Sequence, residues 1–205
     1  MYRLLGFSTQ NSMKTLYVLE ELGIEYEFKS VNLMKGEQKT EAFLKLNPVG
    51  KTPVLQVDDD SIFESGAICR YLANVEKSPL YPTDNLQRAK VDQWMDYFPN
   101  HLGRFLNTLY FENHIKPHFG GTKNEANCKE ALEFVKQQFP VVDGVLAKSA
   151  YLTGEKLSIA DLCAYAYVEQ VNMLDISLEP YPHVKKWFES ISKRESIQRA
   201  KKKVA

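Results

Sequence analysis

Asn47-Pro48-Val49-Gly50-Lys51-Thr52-Pro53-Val54-Leu55 is the stretch on which the fold turns. It puts a proline, Pro53, at the start of an apolar run that reads as a strand. A cis Thr52–Pro53 bond is expected there, turning backbone groups toward a docked peptide. Asn47 and Pro48 end a helix expected over residues 38–46. Residues 53–57 and 61–63 flank Asp58-Asp59-Asp60 and read as a β-hairpin.

Working outward, residues 2–7 form a short apolar strand, and residues 12–22 a helix with Gly23 as its C-cap. Residues 26–31 alternate, with Tyr26 and Phe28 on one side and Glu27 and Lys29 on the other. Strand, helix and strand make a βαβ unit, which demands parallel pairing and a right-handed crossover. A helix over residues 64–74 closes this half. The order βαβα followed by ββα predicts a thioredoxin-like α/β domain over residues 1–77.

Residues 78–86, SPLYPTDNL, carry two prolines and read as a linker. Residues 87–205 read as an all-α domain. Val91, Trp94, Met95, Phe98, Leu102, Phe105 and Leu109 keep a helical period, so one long helix is expected over residues 86–115, kinked at Pro99. Leu132, Val135, Phe139, Val142 and Leu146 mark a second, with Pro140 expected as a further kink. Residues 159–174 are apolar on most faces and predict a buried central helix. Ser158-Ile159-Ala160-Asp161 ahead of it fits a capping box, a structural role. Helices over 181–192 and 194–203 complete the chain, which has no internal repeat.

The charges balance, 26 basic against 26 acidic among 205 residues, so no field holds a polyanion and nucleic acid is not an expected partner. Lys201, Lys202 and Lys203 read as a solvated basic tail. No stretch approaches the roughly 20 apolar residues of a membrane span, and MYRLLGFSTQ lacks the long apolar core of a signal peptide. Three widely spaced cysteines, Cys69, Cys128 and Cys163, suggest a reducing compartment, and a cytoplasmic location is expected. Cys69 and Cys163 read as small core residues, and Cys128 as more exposed. His101, His114, His118 and His183 show no metal-ligand spacing, so no metal is expected.

In a thioredoxin-like fold, reactive groups lie where the first strand enters the first helix. Free N–H groups and the helix dipole there stabilise a thiolate. Redox members keep Cys-x-x-Cys at that place. Here the turn is Ser8-Thr9-Gln10-Asn11-Ser12. The thiolate site is present without its sulfur, which points to a sulfur carried by a ligand, glutathione foremost. Phe63-Glu64-Ser65-Gly66-Ala67-Ile68 opens a later helix with an acid and a hydroxyl, suited to an amino acid's ammonium and carboxylate.

These segments resemble the glutathione S-transferase superfamily over nearly the whole chain. Thr9-x-Asn11-x-x-Lys14 looks like its bacterial and fungal branch with Ser or Thr and Asn, such as the nu class. The resemblance implies that Thr9 donates a hydrogen bond to the glutathione sulfur and that Asn11 lies beside it. It implies that Gln38 and Lys51 face the glycyl end, that Thr52 pairs through its backbone with the cysteinyl residue, and that Glu64 and Ser65 hold the γ-glutamyl end. A second substrate would lie between the domains, where Tyr97, His101 and Arg104 line a pocket; a solvated or dimer-facing surface explains the same residues equally. Tyr110 and Phe111 read as core.

The implied function is a detoxifying transferase that activates the glutathione thiolate against small hydrophobic electrophiles. A glutathione-dependent disulfide reductase or peroxidase, and a non-enzymatic regulatory or assembly protein of the same fold, are the alternatives. A homodimer is expected by resemblance. Ser8, Thr9, Asn11 and Ser12 also suit a helix N-cap, and which of them meets the sulfur is open at this level.

Overall fold

The computed structural model describes residues 1–204; residue 205 of the expected helical domain lies outside the described residues. They divide into two compact units, Met1–Pro82 together with the segment from Ser192 onward, and Thr83–Ile191.

The first unit is built on β1 (Tyr2–Gly6), α1 (Gln10–Leu22), β2 (Tyr26–Ser30), α2 (Glu41–Leu46), β3 (Val54–Val57), β4 (Asp60–Phe63) and α3 (Ser65–Val75). The sheet runs β2-β1-β3-β4. β1 pairs parallel with β2, Tyr2 opposite Tyr26, and antiparallel with β3, Leu4 opposite Leu55. The thioredoxin-like order expected from the sequence is therefore met. Both faces of the central strand are covered, which is why Leu4 and Leu5 are both buried. Leu5 and Val54 pack with Val31 and Phe43 of α2. On the opposite face, Leu4 and Leu55 are as fully buried as Leu16, Leu19, Ile68 and Leu72 of the mutually packed α1 and α3. Each such side chain contributes about 1.5–3 kcal/mol of transfer free energy.

Gly23 ends α1 in the left-handed region at φ 67°, its N–H donating to the Leu19 carbonyl, as the C-cap assignment requires. Residues 38–46 do not form one helix. A 3₁₀ turn, Glu37–Lys39, precedes α2, because Thr40 is extended and caps α2 by accepting from the Phe43 N–H.

The C-terminal helix (Glu195–Val204) belongs with this first unit rather than with the helical half where the sequence reading places it. Arg199 Nε donates to Glu20 Oε2 at 2.8 Å, and Arg194 pairs with Glu21, both at the end of α1. The Lys201–Lys203 run is thus helical, not a free tail, and Lys203 Nζ stands 5.2 Å from the Tyr26 ring centroid.

The second unit holds α4 (Asn85–Asn100), α5 (Leu102–Tyr110), a π-helical turn (Phe111–Ile115), α6 (Lys116–His118), α7 (Glu125–Leu146), α8 (Ile159–Val168) and α9 (Pro182–Ser192), which makes the C-terminal helix α10. The long helix expected over 86–115 is broken at His101, whose φ −121° and ψ −106° are not helical. Pro99 supplies no N–H to the preceding turn, and Gly103 sits against the Tyr167 ring so closely that a Cβ would lie 2.5 Å from it. Pro140, by contrast, is accommodated inside α7. Phe111 is 49% exposed rather than core, since the π turn swings it outward. Cys128, at 8%, is buried too, though less completely than Cys69 and Cys163, and burial raises its thiol pKa.

Every residue of α8 is buried. Ser158 and Asp161 cap it as expected, and the carboxylate reaches further. Asp161 accepts from the Leu152 N–H at 2.9 Å, the Ser158 N–H at 3.0 Å, the Ser158 hydroxyl at 2.7 Å and Trp187 Nε1 at 3.1 Å.

Candidate glutathione site

Strand register gathers the candidate residues. Leu5 of β1 lies opposite Val54 of β3, and Val54 opposite Phe63 of β4. The exit of β1, the entry of β3 and the exit of β4 therefore stand side by side at one end of the sheet. They carry Thr9, Thr52 and Glu64–Ser65, spread over two strand spacings, about 10 Å.

At the first of these, Thr9 is the N-cap of α1 with an extended backbone, and its hydroxyl makes no cap hydrogen bond. Its carbonyl accepts from the Met13 N–H at 2.9 Å. Ser12 is fully buried, and its Oγ accepts from the Phe7 N–H at 3.2 Å. Asn11 is half-buried, with Oδ1 accepting from Lys14 Nζ at 2.8 Å. Ser8 is exposed. Of the four candidates, Thr9 combines partial burial with a hydroxyl that caps no backbone N–H and meets the Ser12 hydroxyl at 3.4 Å.

The second corner is the Asn47–Thr52 loop. Asn47 is buried and organises it: Nδ2 donates to the Lys51 carbonyl at 2.7 Å, and Oδ1 accepts from the Val49 N–H at 3.0 Å. The Thr52–Pro53 bond is cis, as expected. Gly50 has φ +64°, and a Cβ there would lie 3.0 Å from the Gln38 carbonyl and 2.9 Å from Lys39 Nζ. The Gln38 turn and the Lys51 loop are thus in contact. Gln38 Oε1 is buried with no hydrogen-bond partner among the described residues. Lys39 joins this corner, its Nζ 3.5 Å from the Val49 carbonyl, and sequence reasoning missed it. The available signal was a second cation adjacent to Gln38, where the family resemblance already led to the expectation of a carboxylate.

At the third corner, Glu64 is the N-cap of α3 at φ 69° and ψ 110°, outside the regions open to ordinary residues. Such a conformation costs of order 1–3 kcal/mol. The Glu64 side chain is exposed and makes no cap bond, and Ser65 is buried at the first position of α3.

In the second unit, Tyr97 and His101 stack with ring centroids 5.0 Å apart, and the Tyr97 hydroxyl donates to Gln138 Oε1 at 2.8 Å. Burial pushes the Tyr97 phenol up to about 12. Arg104 lies beyond the break at His101, over the Phe105 ring. The three are therefore not on one continuous helix, and the spacing argument that joined Arg104 to the other two fails at that break. Among the described residues no cluster of three or more His, Cys, Asp or Glu is placed to hold a metal ion, and no helix is long and apolar enough to cross a membrane.

The model of the glutathione S-transferase N-terminal domain matches residues 2–74, and that of the C-terminal domain residues 95–195. The chain belongs to the glutathione S-transferase family. It is an enzyme of that class, as the sequence reading expected. Glutathione S-transferase 1 of Zea mays is 36% identical over 92% of this chain and 90% of its own length, and probable glutathione S-transferase GSTF2 of Oryza sativa 35% over the same shares. A solved glutathione S-transferase-I bound with lactoylglutathione superposes with a TM-score of 0.89, at 34% identity and 97% coverage of both chains. A fungal glutathione transferase from Phanerochaete chrysosporium, solved with oxidised glutathione, superposes at 0.88 with 27% identity, over 99% of this chain and 94% of its own.

The finer assignment to the bacterial and fungal Ser/Thr–Asn branch is overturned, because the curated relatives at a third identity are plant transferases. Thr9-x-Asn11-x-x-Lys14 is too short to carry a branch: a hydroxyl and an amide at a helix start also satisfy capping in any lineage.

Proposed function

We propose that the chain binds reduced glutathione extended along the end of the sheet and ionises its thiol at the N-terminus of α1. The carrying observation is the Thr9 hydroxyl, held at the cap position without capping a backbone N–H of the helix. An extended tripeptide spans about 10 Å, matching the separation of the three corners. Thr9 donates to the sulfur, with Asn11 beside it. The Thr52 backbone pairs with the cysteinyl residue. Gln38 and Lys51, joined by Lys39, face the glycyl carboxylate. Glu64 receives the γ-glutamyl ammonium and Ser65 its carboxylate.

A free thiol has a pKa of about 8.5, so a few per cent is ionised at pH 7. A charge-assisted hydrogen bond and a helix N-terminus together supply the roughly 1.4 kcal/mol that each unit of depression represents. The thiolate then forms a sulfur–carbon bond. In substitution the leaving group departs with its electron pair; in addition the acceptor takes the electrons and a proton. Tyr97 and His101 offer an aromatic face to a small apolar electrophile, with Arg104 as the weaker member. A homodimer, a cytoplasmic location and a detoxifying role belong to the same proposal.

A second reading is disulfide reduction, favoured by the structural likeness to a transferase holding oxidised glutathione. Without Cys-x-x-Cys it consumes two external glutathiones, one forming the mixed disulfide and one resolving it. Turnover of an aryl halide against turnover of 2-hydroxyethyl disulfide separates the two. Activity on the halide without activity on the disulfide supports the transferase, and the reverse replaces it.

A further inference from the structure

Glu37 is an acid in the corner that the proposed function reserves for a carboxylate, next to Gln38 and Lys39 in the chain. By its charge alone it would oppose that ligand group. Although exposed, its carboxylate is turned back on the loop: Glu37 Oε2 accepts from the Asn32 N–H at 2.7 Å, and the Glu37 N–H donates to the Asn32 carbonyl at 3.2 Å. The rest of the loop closes in the same way. Asn32 Oδ1 accepts from the Lys35 N–H at 3.1 Å, the Gly36 N–H donates to the Leu33 carbonyl at 3.2 Å, and the Lys39 N–H to the Gly36 carbonyl at 2.8 Å. One end of the loop is fixed, because Val31 is buried and its N–H donates to the Gly6 carbonyl at 2.7 Å, at the exit of β1. The Glu37 carboxylate fastens the Glu37–Lys39 turn to that end. Glu41, the next acid, pairs with Lys45 at 2.9 Å.

We infer that Glu37 is a positioning residue for the glycyl corner: by receiving the Asn32 N–H it sets the turn that carries Gln38 and Lys39 across Gly50. Two residues beyond Glu37, Lys39 Nζ stands 3.5 Å from the Val49 carbonyl. A Cβ at Gly50 would lie 2.9 Å from that Nζ and 3.0 Å from the Gln38 carbonyl. At so close an approach, a small shift of the turn moves Gln38 and Lys39 off the Lys51 loop. A hydrogen bond from a backbone N–H to an ionised carboxylate is short and strong, suited to holding such a turn. Fixing the turn before binding also spares the ordering entropy that a loose lysine would lose on meeting the ligand. The inference rests on the proposed reading of this corner as the glycyl end of the glutathione site.

The test compares, by titration calorimetry, the binding of reduced glutathione with that of its glycyl monoethyl ester, which lacks the carboxylate charge. In the wild type, esterification is expected to weaken binding about fivefold or more. Glu37→Ala weakens the binding of glutathione about three- to tenfold and that of the ester by less than about twofold, so the two ligands converge. Glu37→Gln, which keeps an acceptor for the Asn32 N–H, stays within about twofold of the wild type on both. An equal loss on both ligands in Glu37→Ala marks general loosening and overturns the inference. Unchanged or tighter binding of glutathione in Glu37→Ala, the result if the acid merely opposes the ligand's charge, overturns it as well. If Glu37→Ala does not fold, Glu37→Met, of similar length without an acceptor, is judged by the same outcomes. A wild type that binds glutathione and its ester equally overturns the reading of this corner together with the inference, and one that binds neither overturns the glutathione site itself.

Discussion

Thr9 Oγ1 and Ser12 Oγ lie 3.4 Å apart, but only one of the two hydroxyls is available to a ligand. Ser12 is buried and answers the Phe7 N–H, while Thr9 is half-buried. Thr9→Ala is expected to lower kcat/KM with glutathione about 10- to 100-fold, the worth of one charge-assisted hydrogen bond. Thr9→Ser retains most of it. Ser12→Ala instead leaves the Phe7 N–H without its partner and lowers stability by about 1–2 kcal/mol. Steady-state kinetics beside thermal melts separate the two effects; equal kinetic losses at both positions would refute the division of labour.

Asp161 is a structural hub outside the site. Replacing it with alanine strands two backbone N–H groups, the Ser158 hydroxyl and the Trp187 indole N–H in the interior. A loss of about 3 kcal/mol or more is expected. Chemical denaturation measures it, and a loss below about 1 kcal/mol would contradict the hub.

Two glycines of the helical unit should respond with opposite sign. A Cβ at Gly103 would come within 2.6 Å of the Phe98 carbonyl and 2.5 Å of the Tyr167 ring, whereas nothing lies within 4 Å at Gly144 in α7. Gly103→Ala is expected to destabilise by about 1–3 kcal/mol through overpacking. Gly144→Ala is expected to stabilise by about 0.5–1 kcal/mol. Melting temperatures of the pair decide the matter, and a shift of the same sign in both would count against the packing described.

Glu112 sets an acid limb of stability. The Asn124 N–H and the Lys116 ammonium hold its carboxyl below the ordinary carboxylate value. A depressed folded-state pKa contributes stability above the unfolded value, about 4.3, and that contribution is lost as pH falls through the folded value. Glu112→Gln should be less stable at neutral pH and lose less stability on acidification below about pH 4. Urea denaturation at several pH values reads this slope; parallel profiles for variant and wild type would refute it.

The N-terminal half was legible because its signals are local and mutually consistent. Alternation over residues 26–31, Gly23 after α1, and Pro53 at a strand entry each require one backbone geometry. The break at His101 was not legible. Pro99 signals a kink, but the close approach of Gly103 to Tyr167, 64 positions away in the sequence (167 − 103), has no local signature. The same break separates Arg104 from the Tyr97–His101 stack. The placement of α10 with α1 rests on the pairing of Glu20 and Glu21 with Arg199 and Arg194, and ion-pair partners remote in sequence have no periodic signature. At the site, three hydroxyls and an amide offered four candidates, and only burial and the Phe7 N–H contact distinguished Ser12 from Thr9. Lys39 escaped because an exposed lysine looks like any solvated charge until the turn at Gly50 brings the Val49 carbonyl beside it.

The central claim is that α1 turns bound glutathione into its thiolate. Titration calorimetry of reduced glutathione at pH 7, repeated in two buffers of different ionisation enthalpy, counts the protons released on binding. The wild type is expected to release about half a proton or more per glutathione, the mark of a thiol pKa at or below about 7, and Thr9→Ala distinctly less. Binding without proton release, equal release by both proteins, or no binding at all would contradict the account.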